Sequence, residues 1–232
     1  MKVMLLAAGR GERMRPLTDH TPKPLLHVGG KALIVWHLER LAQAGLRDIV
    51  INHAYLGYQL ETALGQGDQF GVRIQYSPEN PVLETAGGIA NAMLLLGETP
   101  FAVINSDIYC EYDFTQLPSH ATALAQRGDA AHLVLVNNPP QHPAGDFGLN
   151  GDRVSDISPK FTFSGIGVYH PRLFATIKRG SVAALAPLLR AQIVQHKIGG
   201  EHFAGRWVDV GTPQRLEQLD NELQRPHNAA HV

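Results

Sequence analysis

Residues 2–26 read KVMLLAAGRGERMRPLTDHTPKPLL, and the way this stretch opens decides the fold. Residues 2–7 form a short, continuous apolar run, suited to a strand buried on both faces. A loop punctuated by glycine and proline follows to about Gly30. Beyond it, Ile34, Leu38 and Leu41 recur at helical spacing, and Gly45 stands where a helix stop belongs. The same alternation continues with a strand over 48–53, a helix over 55–64 and a strand over 72–76. A helix over 87–96 and a strand over 101–105 complete it. Strand and helix in turn predict an α/β fold, with a Rossmann-like, mixed but mostly parallel central sheet flanked by helices. In such sheets ligands bind beyond the carboxyl ends of the strands, so the loops after the first, third and fourth strands are the places to look.

The second half is less regular. Strands are expected over 131–136 and 163–169, and a hairpin over 147–157, where Asn150-Gly151-Asp152 supplies the turn signal. Helices are expected over 182–195 and 213–223, with Pro213 suited to a first helical turn. Residues 1–224 thus read as one domain, with halves at about 1–110 and 111–224 and a disordered tail over 225–232. The 232 residues carry 44% hydrophobic and 18% charged side chains, an ordinary globular composition. Twenty Lys and Arg against 21 Asp and Glu give a net charge of -1, which argues against a nucleic-acid or anionic-membrane binder. The single cysteine, Cys110, excludes an internal disulfide framework and reads as a small buried apolar residue. The N-terminal apolar stretch is too short for a signal peptide, and Arg10, Arg13 and Arg15 stand where a cleavage site would be. A cytoplasmic chain, monomeric or a small homo-oligomer, is expected. The 12 histidines are scattered, and only His227 and His231 stand four apart, so no zinc pattern emerges.

The loop after the first strand holds Gly9, Gly11, Arg10, Arg13, Arg15 and Lys23. Glycines there let backbone N–H groups approach phosphate oxygens, while arginine and lysine supply the countercharge. The loop therefore suits a triphosphate. It is neither a dinucleotide fingerprint nor a P-loop, because Met14 and Arg15-Pro16 stand where those patterns need glycine and Lys-Ser/Thr.

The longer string resembles the sugar-1-phosphate nucleotidyltransferase family, whose pattern runs roughly G-x-G-T-R-L-x-P-L-T and then P-K-P-L-L. Gly9, Gly11, Arg13, Pro16, Leu17, Thr18, Pro22, Lys23, Pro24, Leu25 and Leu26 match it at the same spacing. The resemblance implies the fold of nucleotide-diphospho-sugar transferases, with Arg13 and Lys23 as catalytic cations that hold the triphosphate and stabilise departing pyrophosphate. Ala8, Gly9, Gly11 and Glu12 would line the nucleotide site, Glu12 in place of the family's threonine. The 77–88 string, SPENPVLETAGG, resembles the family's base loop and implicates Asn80, Thr85 and Gly88.

Asn105-Ser106-Asp107 and Trp207-Val208-Asp209-Val210-Gly211-Thr212-Pro213 resemble the segments that supply the family's metal aspartates. Asp107 and Asp209 are accordingly expected to hold Mg²⁺, a hard ion that suits carboxylates and phosphates. On the acceptor side the resemblance points to Asn105, Asp146, Gly148, Lys160, Ser164 and Gly165 as sugar-phosphate contacts. Pro159 stands where many members have a glutamate for sugar hydroxyls, and losing that carboxylate favours an acidic sugar. That loss, and the string from Phe163 to Tyr169, resemble the branch that uses UTP and N-acetylmuramate 1-phosphate in peptidoglycan recycling. The base loop also resembles the mannose-1-phosphate guanylyltransferase branch, and hexose-1-phosphate uridylyl- or thymidylyltransferases come next. From other classes, a nucleotide-sugar-dependent glycosyltransferase would not need the Arg13/Lys23 pair. A non-catalytic regulatory subunit should have lost Lys23, Asp107 or Asp209.

Overall fold

Residues 1–224 are described by the computed structural model, so the tail expected over 225–232 lies outside the described residues. The chain runs β1 (Lys2–Leu6), β2 (His27–Val28), β3 (Lys31–Ala32), α1 (Leu33–Gln43), β4 (Asp48–His53), α2 (Gly57–Leu64), β5 (Arg73–Pro78), α3 (Glu84–Asn91), α4 (Met93–Leu96) and β6 (Phe101–Asn105). It continues through β7 (Ile108–Cys110), α5 (Leu117–Arg127), β8 (Ala131–Val136), β9 (Phe147–Asn150), β10 (Arg153–Ser155), β11 (Lys160–Tyr169), α6 (Leu185–Ile193), β12 (Ile198–Phe203), β13 (Trp207–Asp209) and α7 (Pro213–Gln224).

A nine-stranded sheet in the order β5-β4-β1-β6-β11-β8-β12-β10-β9 organises the molecule. Strands β5, β4, β1 and β6 are parallel neighbours. Antiparallel β11 joins β6 to β8, and β12 runs parallel to β8. The sheet is therefore mixed: β11 and β10 run against the common direction of the other strands. Strands from both expected halves share this one sheet.

The apolar run at the N-terminus explains why β1 is central. Val3 and Leu5 point into one hydrophobic cluster with Ile34, Leu38, Leu41 and Ile51, while Met4 points into another with Val50, Ile89 and Val103. Both faces are covered by helices, as expected for a strand whose neighbours are parallel. Each such fully buried Leu or Ile contributes about 1.5–3 kcal/mol. On α1, Ile34, Leu38 and Leu41 are all 0% exposed, and Leu46 N–H bonds back to Leu41 O at 2.8 Å past Gly45, whose φ is +77°.

Several elements differ from the expectation. The helix expected over 87–96 begins at Glu84 and breaks at Ala92 into α3 and α4. The hairpin of β9 and β10 turns on Gly151-Asp152, with Asn150 opposite Arg153. Helix α5, strand β12, and the two-stranded ribbons β2–β3 and β7–β13 had no counterpart in the sequence reading. Cys110 lies buried in β7, and burial pushes its thiol up to about 11. No helix among the described residues is long and apolar enough to cross a membrane.

Candidate active site

The four parallel strands β5, β4, β1 and β6 release their loops at one edge, and these loops wall a cavity of about 360 Å³. The loop after β1 contributes Ala8, Gly9, Gly11, Glu12, Arg13 and Lys23, the loop after β5 Glu79, the first turn of α3 Thr85, the end of β6 Asn105 and the turn after it Asp107. Gly11 has a φ of +69°, and a Cβ there would lie 2.9 Å from Thr18 Cγ2. The buried Thr18 hydroxyl donates to Gly11 O at 2.8 Å, locking the turn. Glycine is thus required at this position by conformation and by space.

Neighbouring loops brace the turn on both sides. Asn52, at the end of β4, accepts from Ala7 N–H at 2.9 Å and donates to Glu79 at 2.6 Å. Glu79 in turn accepts from Leu83 N–H at 2.9 Å and is only 6% exposed. On the other side, Ser106 bonds Leu6 O through its N–H at 3.1 Å and through its hydroxyl at 2.5 Å. Neither Asn52 nor Glu79 was singled out from the sequence. Their signal was weak: polar residues at the ends of apolar strands.

Charge is distributed unevenly around the loop. Glu12 pairs with Arg10 at 3.2 Å and Arg15 at 3.3 Å, and Arg15 also reaches Asp19 at 3.2 Å. Among the described residues, no carboxylate pairs with Arg13. The Glu12 carboxylate is thereby neutralised, while the Arg13 guanidinium faces the cavity uncommitted. Lys23, by contrast, is 7% exposed, and its ammonium lies 2.6 Å from Asp107 Oδ2.

The ribbon of β7 and β13 sets the backbones of the two aspartates side by side. Asp209 pairs with Ile108, and Val210 N–H donates to Asp107 O at 3.0 Å. Asp209 itself is held by Arg215 at 2.7 Å and faces a smaller cavity of about 150 Å³ with Trp207. Behind the ribbon, buried His37 reaches Ile108 O with Nε2 at 2.8 Å, so that nitrogen carries the proton. Burial pushes the His37 pKa down to about 4.

The other expected contacts lie further out. Gly88 stands behind the cavity wall, where a Cβ would meet Glu79 Oε1 at 2.4 Å. Exposed Asn80 sits beside Glu79 without lining the cavity. Gly165, with a φ of +82°, packs on Asn105, and the buried Ser164 hydroxyl donates to Val134 O at 2.7 Å. Asp146 accepts from Phe163 N–H at 2.8 Å, and Lys160 pairs with Asp156 at 2.5 Å. Gly148 packs under Ile157 O. Asp146, Gly148, Lys160, Ser164 and Gly165 are therefore grouped around β9 and β11, outside the lining of the larger cavity.

A glycine-bounded loop, an arginine with no carboxylate partner, a buried lysine and Asp107 line one cavity at the sheet's edge, and Asp209 stands beside it on the ribbon. Residues 2–225 match the family described as nucleotidyl transferase. The chain belongs to the nucleotidyl transferase family. The resemblance to sugar-1-phosphate nucleotidyltransferases carried by its motifs is thereby borne out. A similar relative is N-acetylmuramate alpha-1-phosphate uridylyltransferase of Neisseria meningitidis serogroup B, 55% identical over 94% of this chain and 96% of its own length. A second is mannose-1-phosphate guanyltransferase of Aspergillus fumigatus, 32% identical over 92% of this chain, which spans 62% of that relative's length. The fold matches a putative glucose-1-phosphate thymidylyltransferase from Bacillus anthracis with a TM-score of 0.83 at 20% identity, covering 97% of this chain and 96% of that one.

Two departures from the family's pattern now have physical reasons. Glu12, in place of threonine, is the shared partner of Arg10 and Arg15. Ser106, in place of glycine, staples the end of β6 to the end of β1.

Proposed function

We propose that the chain transfers a uridylyl group from UTP to N-acetylmuramate 1-phosphate, forming the nucleotide sugar and pyrophosphate. The observation that carries the choice of substrates is the 55% identity to the Neisseria uridylyltransferase across nearly the whole of both chains. The observation that supports the chemistry is that Arg13, Lys23 and Asp107 line one cavity, with Asp209 beside it across the ribbon.

In this reading a phosphate oxygen of the sugar phosphate attacks the α-phosphorus of UTP, and the bond from that phosphorus to the β-phosphate bridging oxygen breaks. The attacking oxygen is already ionised at neutral pH, so no general base is needed. Positioning and charge stabilisation then carry the rate. Arg13 would bind phosphate oxygens bidentately, and Lys23 would place a fixed charge against the leaving pyrophosphate. Glycine N–H groups around Gly9 and Gly11 would hold the same oxygens, and Thr85 would hydrogen-bond the base.

Asp107 and Asp209 fit a divalent cation such as Mg²⁺ by donor chemistry: both are hard oxygen donors at one end of the ribbon, with side chains 39% and 24% exposed. Each carboxylate now pairs with a basic side chain, Lys23 or Arg215, and a divalent cation could take that side chain's place as its counter-charge. Bound there, it would supply charge neutralisation at the triphosphate. On the acceptor side, Lys160 would leave Asp156 to meet the sugar's phosphate, with Asn105, Asp146, Gly148, Ser164 and Gly165 shaping the sugar site. The absence of a glutamate at Pro159 agrees with an acceptor that carries a lactyl carboxylate. The reading implies a cytoplasmic step in peptidoglycan recycling.

The test is a pyrophosphate-release screen of UTP, GTP and dTTP against N-acetylmuramate, mannose and glucose 1-phosphates. UTP with the muramate is expected to win by at least tenfold in kcat/KM. A preference for GTP with mannose 1-phosphate would replace this reading with the guanylyltransferase one.

A further inference from the structure

Away from the cavity, three residues far apart in sequence converge between helix α5 and the sheet. His132 lies on β8 opposite Gly199 of β12, and Glu201, two residues further along β12, shares its face. His120 reaches down from α5. Its Nε2 lies 2.9 Å from Glu201 Oε1, and His132 Nε2 lies 3.5 Å from the same oxygen. Gly199 leaves room for this, since a Cβ there would lie 3.1 Å from His132 Nδ1. The two imidazoles stack with centroids 4.1 Å apart. The Tyr112 hydroxyl donates to Glu201 Oε1 at 2.6 Å and so orients the carboxylate.

We propose that His120, His132 and Glu201 form a transition-metal site, for Zn²⁺ by its donor set, that ties α5 and β12 to β8. Three observations carry this. The first is the spacing of the donors: ligands at about 2.0–2.1 Å from a tetrahedral zinc stand roughly 3.3 Å apart. Glu201 Oε1 is 2.9 and 3.5 Å from the two nitrogens, and all three donor atoms lie within 4.8 Å of one another; because the ring planes are 11° from parallel, one imidazole turns about its Cβ–Cγ bond to bring both lone pairs onto one ion.

The second is His132 Nε2 itself, a buried nitrogen with no hydrogen-bond partner. Orphaned buried polar atoms are rare in folded proteins, and a cation would satisfy this one. The third is the chemistry of the set. Two imidazoles and a carboxylate suit Zn²⁺, whereas Mg²⁺ prefers oxygen ligands and keeps its waters.

None of the three residues lines either the nucleotide cavity or the pocket beside Asp209. The site would therefore be separate from the aspartates. Its role would be structural: pinning the helix and strand that lie beyond Tyr112 on the ribbon side of the sheet.

The test uses the tag-free full chain, stripped with chelator, freed of it, and titrated with Co²⁺ and then Zn²⁺ in excess Mg²⁺. The expected result is one Co²⁺ per chain, with the strong visible absorption of tetrahedral ligation, displaced by Zn²⁺ and accompanied by a rise in Tm. His120→Ala, His132→Gln and Glu201→Gln should each weaken binding at least tenfold, while Asp107→Asn and Asp209→Asn leave it intact. His132→Gln should keep the Mg²⁺-supported activity and the far-ultraviolet spectrum of the wild type, which separates lost ligation from lost folding. No uptake by the wild type, unchanged binding in the histidine variants, or loss of binding in Asp107→Asn would each overturn the site.

Discussion

Replacing Lys23 with methionine keeps the aliphatic stem and removes only the charge. The ammonium it removes is nearly dehydrated, its side chain 9% exposed, and sits 2.6 Å from Asp107. A fixed charge in such a place acts at low dielectric, and deleting one preorganised stabiliser of developing charge typically costs 10²–10³ in kcat, about 2.7–4 kcal/mol. The same loss expected here is large beside the structural cost. Breaking a fully buried ion pair costs about 3–5 kcal/mol, but Asp107 is 39% exposed and water can replace its partner, so about 1–2 kcal/mol is expected. At roughly 2–4 °C per kcal/mol for a chain of this size, Tm should fall by about 2–8 °C. The assay is pyrophosphate release at saturating UTP and N-acetylmuramate 1-phosphate, with thermal melts on the same preparations. The variant should be folded at assay temperature and slow by at least 10²-fold. Turnover within about threefold of the wild type would make Lys23 a mere partner for Asp107 and refute its leaving-group role.

Other outcomes follow from the same geometry. Asp107→Asn and Asp209→Asn should each lose about 10²-fold or more in kcat and need more Mg²⁺ for half-maximal rate; unchanged Mg²⁺ dependence in both would exclude them as its ligands. Gly11→Ala forces a side chain into φ +69° and against Thr18, so urea titration should show about 2 kcal/mol lost, and an unaltered midpoint would contradict the turn's geometry. His37 is held at about 4 when folded against 6.5 as its ordinary value, so the unfolded chain binds more protons between those pH values. Stability should be complete above pH 6.5 and decline by about 3 kcal/mol as pH falls to about 4. His37→Gln should flatten that slope, and identical slopes would count against it. Glu79→Ala, which frees Asn52 and Leu83 N–H, should raise the KM for UTP by about tenfold, roughly 1.4 kcal/mol, with a smaller effect on the KM of the sugar phosphate.

The parts of this molecule legible in sequence are those where one residue type has one physical reason to be there. The run from Val3 to Leu5 had to be a doubly buried strand, and Gly9, Gly11, Arg13 and Lys23, read from the sequence as an anion loop, line the cavity beyond it. Strand β12 escaped because its Gly199 and Gly200 have no β-forming side chains. They are glycine because His132 Nδ1 and Val154 Cγ2 stand 3.1 and 2.5 Å from where Cβ atoms would be. Helix α5 escaped because only Leu117 and Leu124 on it are buried, too few to write a periodic stripe. The β7–β13 ribbon is three residues a side, below what alternation can signal. The Asn52–Glu79 brace and the His120–His132–Glu201 cluster are products of strand order and of the packing of α5 on the sheet, since nothing local in the chain links their members.

The most direct measurement uses the wild-type chain, N-acetylmuramate 1-phosphate, and UTP labelled at its α-phosphorus. The account predicts that the label appears in the UDP-linked sugar, with one pyrophosphate released for each molecule formed and no orthophosphate. Label recovered in free UMP, or no labelled sugar product at all, would contradict it.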